Sequence, residues 1–220
     1  MTQIKHAINE EYKSEVFLMD CMEGMKQYED NYFDLAVVDP PYGINFAKTH
    51  TGNGWVVRES KDWDKNIPTA EYFKELFRVS NNQIIWGANY MVEHLPPSMG
   101  WIMWDKGQRE FSLADGELAF TSFNKALRIY TLPRANAKAN NDKNGGGIHP
   151  TQKPVQLYDW IFGKYAEEGM KILDTHLGSQ SSRISANKNK LHFTGFELDP
   201  DYFRDGNKRY EDFVSQLTLF

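Results

Sequence analysis

Ile172-Leu173-Asp174-Thr175-His176-Leu177-Gly178-Ser179-Gln180 reads as a buried strand ending in a carboxylate, a Gly-Ser turn and the start of a helix. A glycine at such a turn lets the backbone approach a ligand closely. Working outward, Ser182–Asn189 has helical character and Phe193–Phe196 is again strand-like, closing on Glu197 and Asp199. The alternation extends through the chain. Val16–Met19, Leu35–Val38, Gln83–Trp86, Trp101–Trp104, Leu118–Thr121, Leu127–Tyr130 and Lys171–Leu173 are short apolar runs of strand type. Pro68-Thr69 opens a helix with Tyr72, Phe73, Leu76 and Phe77 on one face; Pro154 opens another, with Leu157, Tyr158, Ile161, Phe162 and Tyr165 at helical spacing. Asp199-Pro200 caps a last helix carrying Phe203, Tyr210, Phe213 and Val214. Alternating elements predict an α/β fold: one open, mostly parallel sheet with an antiparallel edge strand, covered on both faces. In such sheets ligands bind beyond the carboxyl ends of the strands.

Bulk properties narrow the class. The chain has 220 residues, 40% hydrophobic and 25% charged, which suits a single domain with a sizeable core. No apolar run is long enough to span a bilayer, and the N-terminal residues do not read as a signal peptide. Cys21 is the only cysteine, so no intrachain disulfide forms, and a reducing compartment such as the cytoplasm fits. The histidines show no metal-ligand spacing, so no metal is expected. The net charge is −5, but it is unevenly spread. Lys125 to Lys153 carries Lys125, Arg128, Arg134, Lys138, Lys143 and Lys153 against the single acid Asp142. Such a stretch suits phosphate, although charge alone equally describes a solvated loop. Two long loops stand out, Gly43 to about Ile67 and Pro133 to Ile148, and loops of that length in a compact domain are usually functional or disordered.

Two further stretches carry chemistry. Val37-Val38-Asp39-Pro40-Pro41-Tyr42 ends a buried strand. Consecutive prolines fix φ and remove two amide donors, leaving a carboxylate, free carbonyls and an aromatic ring in a stiff frame. An exocyclic amine on a base needs that set, because its lone pair is delocalised into the ring. Asp39 and the Pro40 carbonyl are placed to accept its hydrogens and draw the nitrogen toward tetrahedral geometry, while Tyr42 stacks on the base. Glu197 follows Gly178 by 19 positions, close to the ~20 that bring an acidic side chain to a ribose diol in nucleotide-binding α/β folds. Taken singly, Asp174 also reads as a helix cap and Glu197 as a surface strand end. His149-Pro150-Thr151-Gln152-Lys153-Pro154 leads into a helix, with Thr151 and Lys153 as candidates for the carboxylate of a bound amino acid moiety, or Thr151 as a plain cap.

In this order the three stretches resemble the permuted amino-methyltransferases of DNA, the β class, over nearly the whole chain, and most of all small adenine methyltransferases of phages and mobile elements. The resemblance implies a Rossmann-like methyltransferase sheet with circularly permuted motif order, S-adenosylmethionine as cofactor and DNA as partner. It implies a catalytic segment Asp39, Pro40, Pro41 and Tyr42, and cofactor contacts from Asp20, Asp39, His149, Thr151, Lys153, Asp174, Gly178, Ser179 and Glu197. Met19-Asp20 resembles the segment that meets the cofactor's adenine ring. Aspartate before Pro-Pro-Tyr leans toward adenine N6 over cytosine N4; RNA as substrate, or a catalytically weak DNA-binding or interaction module, are the rival readings. The base must swing out of the duplex to reach Asp39. The Gly43–Ile67 loop, with Lys48 and Arg58, is placed to close over it, and Arg134, Lys138 and Lys143 to meet phosphate. About 106–148 is left as a minimal target-recognition region, and homodimers are common in this class. One departure is visible: Gln180 stands where the family usually has a second glycine, predicting crowding at the methionine end of the cofactor.

Overall fold

The computed structural model describes residues 3–7, 12–44, 65–109, 114–133 and 152–217. Nine strands form one sheet: β1 (Gln3–Ala7), β2 (Lys13–Leu18), β3 (Phe33–Val38), β4 (Ser80–Trp86), β5 (Trp101–Asp105), β6 (Gly116–Thr121), β7 (Arg128–Thr131), β8 (Lys171–Asp174) and β9 (His192–Glu197). Their spatial order is β1-β2-β9-β8-β3-β4-β6-β5-β7. The helices are α1 (Cys21–Met25), α2 (Ala70–Val79), α3 (Val155–Tyr165), α4 (Ser181–Lys188) and α5 (Pro200–Leu217). Strands β2, β9, β8, β3 and β4 run parallel. The expected antiparallel edge strand is present, but it is β1, a segment the sequence did not mark as a strand, and a second antiparallel strand, β6, lies inside the sheet between β4 and β5.

Side-chain alternation explains the two-sided cover. On β3, Leu35 and Val37 face a core that includes Ile84 and Trp86 of β4 and Leu157, Ile161 and Phe162 of α3. Ala36 and Val38 face the opposite core, with Ile85 of β4 and Tyr72, Phe73 and Leu76 of α2. Both faces of β3 are therefore buried, which is why its sequence is a continuous apolar run rather than an alternation. α2 and α3 begin where the prolines placed them, and Asp199 caps α5 by accepting from the amides of Asp201 (2.9 Å) and Tyr202 (3.1 Å).

α4 departs from an amphipathic pattern. Its Ser181, Ser182, Arg183 and Ser185 are all buried. The short hydroxyls allow close packing and find partners: Ser182 donates to Asp174 (2.5 Å) and Ser185 to Asp159 (2.6 Å). Arg183 donates to Ser14, Gln180 and Asn207 and lies 3.7 Å above the Tyr210 ring; burial brings its guanidinium down to about 10. This network ties α4 to β2 and α5.

The chain leaves β8 toward β9 on one side and leaves β3 toward β4 on the other. β3 and β8 are neighbours, so the sheet has its topological switch point between them, where a crevice for ligand opens at the strand ends.

Candidate active site

Four predicted stretches converge on that crevice. Asp39 follows the end of β3, Asp174 ends β8, Glu197 ends β9, and Met19-Asp20 follows β2. Leu18 is in register with Glu197, and the Met19 amide donates to the Glu197 carbonyl (2.9 Å), which sets Asp20 beside the Glu197 strand end.

The turn after β8 is held by carboxylates. Gly178 has φ +47°, and its amide donates to Glu197 Oε2 (2.8 Å), while the Asp199 amide donates to Oε1 (2.9 Å). Asp174 accepts from the His176 amide (3.0 Å) and from Ser182. It holds this turn instead of capping the helix, whose N-cap is Gln180, and these bonds do not exclude a contact with ligand, since each carboxylate oxygen keeps a second lone pair. His176 is a packed residue: its Nδ1 meets Thr175 Oγ1 (2.9 Å), its ring meets Tyr72 edge-on, and burial takes its imidazole down to about 4. Asp20 caps α1, accepting from the Met22 amide (2.7 Å), and is exposed.

Gln180 is corrected by its surroundings. It adopts φ +57°, the left-handed conformation a glycine would take there, so the backbone requirement is kept. Its side chain is fully buried against α5, bonded to Asn207 (3.1 Å) and Arg183 (2.9 Å). A Cβ on Gly206 would lie 2.8 Å from Gln180 Cγ, so that glycine makes the room. The crowding expected at the cofactor's methionine end does not follow, because the side chain is directed into the protein.

Around Asp39 the charges are paired tightly. Tyr42 OH donates to Asp39 Oδ1 (2.6 Å), and Lys153 Nζ lies 2.5 Å from Oδ2. Lys153 also reaches Tyr42 OH (3.1 Å) and Glu117 Oε2 (3.2 Å), and Lys106 holds the other Glu117 oxygen (2.7 Å). Burial lifts the Asp39 carboxyl above its ordinary range, and the Lys153 ammonium works against that lift. Burial also pushes on Glu117, but Lys153 and Lys106 outweigh it and hold that carboxyl at about 2. Glu117, on β6, belongs to this charged cluster but was given no role by the sequence, which placed the strand from Leu118; a carboxylate just ahead of that apolar run was the available signal. Tyr42 stacks on Tyr90 (centroids 5.4 Å apart, 17° between planes). A Cβ on Gly43 would lie 3.2 Å from the Ile67 amide nitrogen, so the two ends of the first long loop meet beside Tyr42. Lys48, Arg58, Arg134, Lys138, Lys143, His149 and Thr151 lie outside the described residues. Among the described residues no group of His, Cys, Asp or Glu has the arrangement of a metal site, and no helix is long and apolar enough to cross a membrane.

Asp174 makes a pH-dependent contribution to stability. Burial raises its carboxyl from 3.8 to about 7. The native state therefore holds a proton that the unfolded state has released between those values. The stability is present below the lower value and lost as pH rises through the upper one. Three units correspond to ~4 kcal/mol. An amide must re-pair Ser182, so Asp174→Asn is expected to gain about 2 kcal/mol over the native protein at pH 8 and nothing at pH 4. Denaturant titrations without cofactor at both pH values check this; parallel stability profiles for the two proteins would refute it.

A parallel sheet with carboxylates at neighbouring strand ends, flanking a glycine turn at its switch point, defines an α/β enzyme that binds an adenosine-type cofactor. The N6_N4_Mtase family, described as DNA methylase, matches residues 97–208, and the chain belongs to that family. It is 21% identical to the Type II methyltransferase M2.MboI of Moraxella bovis (92% of this chain, 89% of the relative). It is 23% identical to the Type II methyltransferase M2.DpnII of Streptococcus pneumoniae (87% of each). Among solved structures, the M1.HpyAVI–SAM complex superposes with TM-score 0.57 at 18% identity, over 88% of this chain and 97% of that one. The cytosine-N4-specific PvuII DNA methyltransferase superposes with TM-score 0.59 at 11% identity, over 92% of both. These structures share the fold.

Proposed function

We propose that this DNA methyltransferase acts on the exocyclic N6 of adenine, presented as a flipped base, with motif order circularly permuted as in the β class. The observation that carries the reading is the Asp39 carboxylate, set by two prolines at the switch point and adjoining the strand that carries the Gly178 turn. S-adenosylmethionine, when bound, supplies an electrophilic methyl group. The donor chemistry fits it: Asp174 suits an ammonium, Glu197 a ribose diol and Asp20 an adenine amine, and all three lie at ends of adjacent strands. Gly178 and Ser179 give that turn its close backbone approach.

The residues around Asp39 orient and polarise the base. Each Asp39 oxygen retains a lone pair for the amine, and the Pro40 carbonyl has no helix or ladder of its own. Accepting both amine hydrogens localises the nitrogen lone pair. Tyr42 offers a ring face, and stacking of this kind contributes ~1–3 kcal/mol per base. The chain's contribution to rate is mainly alignment. Lys48 and Arg58 in the first loop, and Arg134, Lys138 and Lys143 within about 106–148, are assigned to DNA phosphates, and His149 and Thr151 to the cofactor's amino acid end.

The test is methyl transfer from labelled S-adenosylmethionine to mixed-sequence duplex DNA, digested to nucleosides and read by mass spectrometry. N6-methyldeoxyadenosine is the expected product. N4-methyldeoxycytidine would keep the mechanism and change the base, and product on RNA alone would overturn DNA as the acceptor.

A further inference from the structure

Lys153 stands just ahead of α3, where the sequence pointed to a holder of the cofactor's carboxylate. Its side chain is only 3% exposed. An ammonium has three hydrogens. Here three acceptors surround it: Asp39 Oδ2 at 2.5 Å, Tyr42 OH at 3.1 Å and Glu117 Oε2 at 3.2 Å. The Trp86 ring lies 5.3 Å from the same ammonium. No hydrogen is left for a ligand carboxylate. Glu117 in turn is anchored by Lys106 just past the end of β5, so the ammonium has beside it a second carboxylate that is itself held in place.

We propose that Lys153, braced by Glu117, is a positioning residue for Asp39, holding that carboxylate charged and aimed for the base's amine instead of binding the cofactor. The inference rests on the reading of Asp39 as acceptor of the amine. A buried carboxylate with no cation beside it would take up a proton and stop accepting one of the amine hydrogens. Lys153 prevents that, and by fixing Oδ2 and the Tyr42 hydroxyl together it sets the rotation of the carboxyl plane.

The groups facing Asp39 give the two variants opposite signs. Lys153 lowers its proton affinity and Glu117 raises it. Asp174 on β8 interacts with it, as do Tyr72 on α2 and Tyr158 on α3, whose hydroxyls burial keeps neutral. Asp174, Tyr72 and Tyr158 are common to all variants and cancel in a comparison.

The experiment follows the Asp39 carboxyl by 13C NMR across pH in aspartate-labelled protein, assigned with Asp39→Asn. It is paired with single-turnover methylation of DNA and calorimetric binding of S-adenosylmethionine. Lys153→Met is expected to move the Asp39 midpoint and the acid limb of the rate up by about one pH unit. Glu117→Gln is expected to move both down. Cofactor affinity should stay within about threefold in each. A Lys153→Met protein with an unmoved midpoint and cofactor affinity weakened tenfold would overturn the proposal in favour of a carboxylate holder. Should that variant not fold, an unmoved midpoint in the isosteric Glu117→Gln overturns it equally. Opposite midpoint shifts without methyl transfer by the native protein would retain the positioning role and refute the proposed function.

Discussion

Asp39→Ala is expected to lower single-turnover methyl transfer by at least about 10³-fold, the scale of losing a proton-handling group in the transition state. Cofactor affinity should change little. The carboxylate is the anionic acceptor that the proline-stiffened segment offers, and its loss leaves the amine's lone pair in the ring. Folding should survive, because Lys153 keeps Glu117 at 3.2 Å and its charge stays paired. Asp39→Asn is a harsher test of structure than its shape suggests. An amide nitrogen would face either the Lys153 ammonium or the Tyr42 hydroxyl, both of which donate to Asp39 in the native protein. The comparison to make is rate at saturating cofactor for Ala, with binding measured separately. Turnover within tenfold of native would remove Asp39 from the chemistry.

What the sequence disclosed and what it withheld divide along a physical line. Local constraints were legible. The apolar run of β3, the prolines after it, and the spacing from Gly178 to Glu197 each restrict backbone or position within one or two elements. They predicted the strand ends that meet at the switch point. β1 was missed because Gln3–Ala7 has no apolar run, its Ile4 and Ala7 being separated by Lys5-His6, and α1 because Cys21–Met25 is little more than one turn and includes a glycine. Side-chain partnership across the sheet was not legible. Lys153 and Tyr42 are 111 positions apart, and nothing in a helix-leading Lys-Pro says that its ammonium turns inward to a carboxylate. Gln180 shows both halves at once. Its left-handed backbone is what a glycine's usual place implies, whereas the direction of its side chain depends on Gly206, nearly two turns into a different helix.

Gly87→Ala should be the most damaging conservative change outside the charged cluster. Gly87 follows β4 with φ +66° and ψ 16°, a left-handed conformation that costs an alanine ~1–2 kcal/mol. The larger effect is steric. A Cβ there would lie 2.0 Å from Tyr42 Cε1, 2.3 Å from Cδ1 and 2.5 Å from Cζ. The ring must leave, and with it go the hydroxyl bonds to Asp39 and Lys153 and the stack on Tyr90. A displacement of about 1 Å at the base platform corresponds to roughly 10²-fold in rate. The effects of the two positions are coupled. In Tyr42→Ala the obstructing ring is gone, so adding Gly87→Ala should lower turnover little further, leaving only the backbone penalty in stability. Contacting residues are expected to be non-additive in this way. A double variant whose losses multiply would mean that Gly87 serves the site through its backbone rather than by admitting Tyr42. A single Gly87→Ala protein with native turnover would mean that the position of the Tyr42 ring does not govern how the base is held.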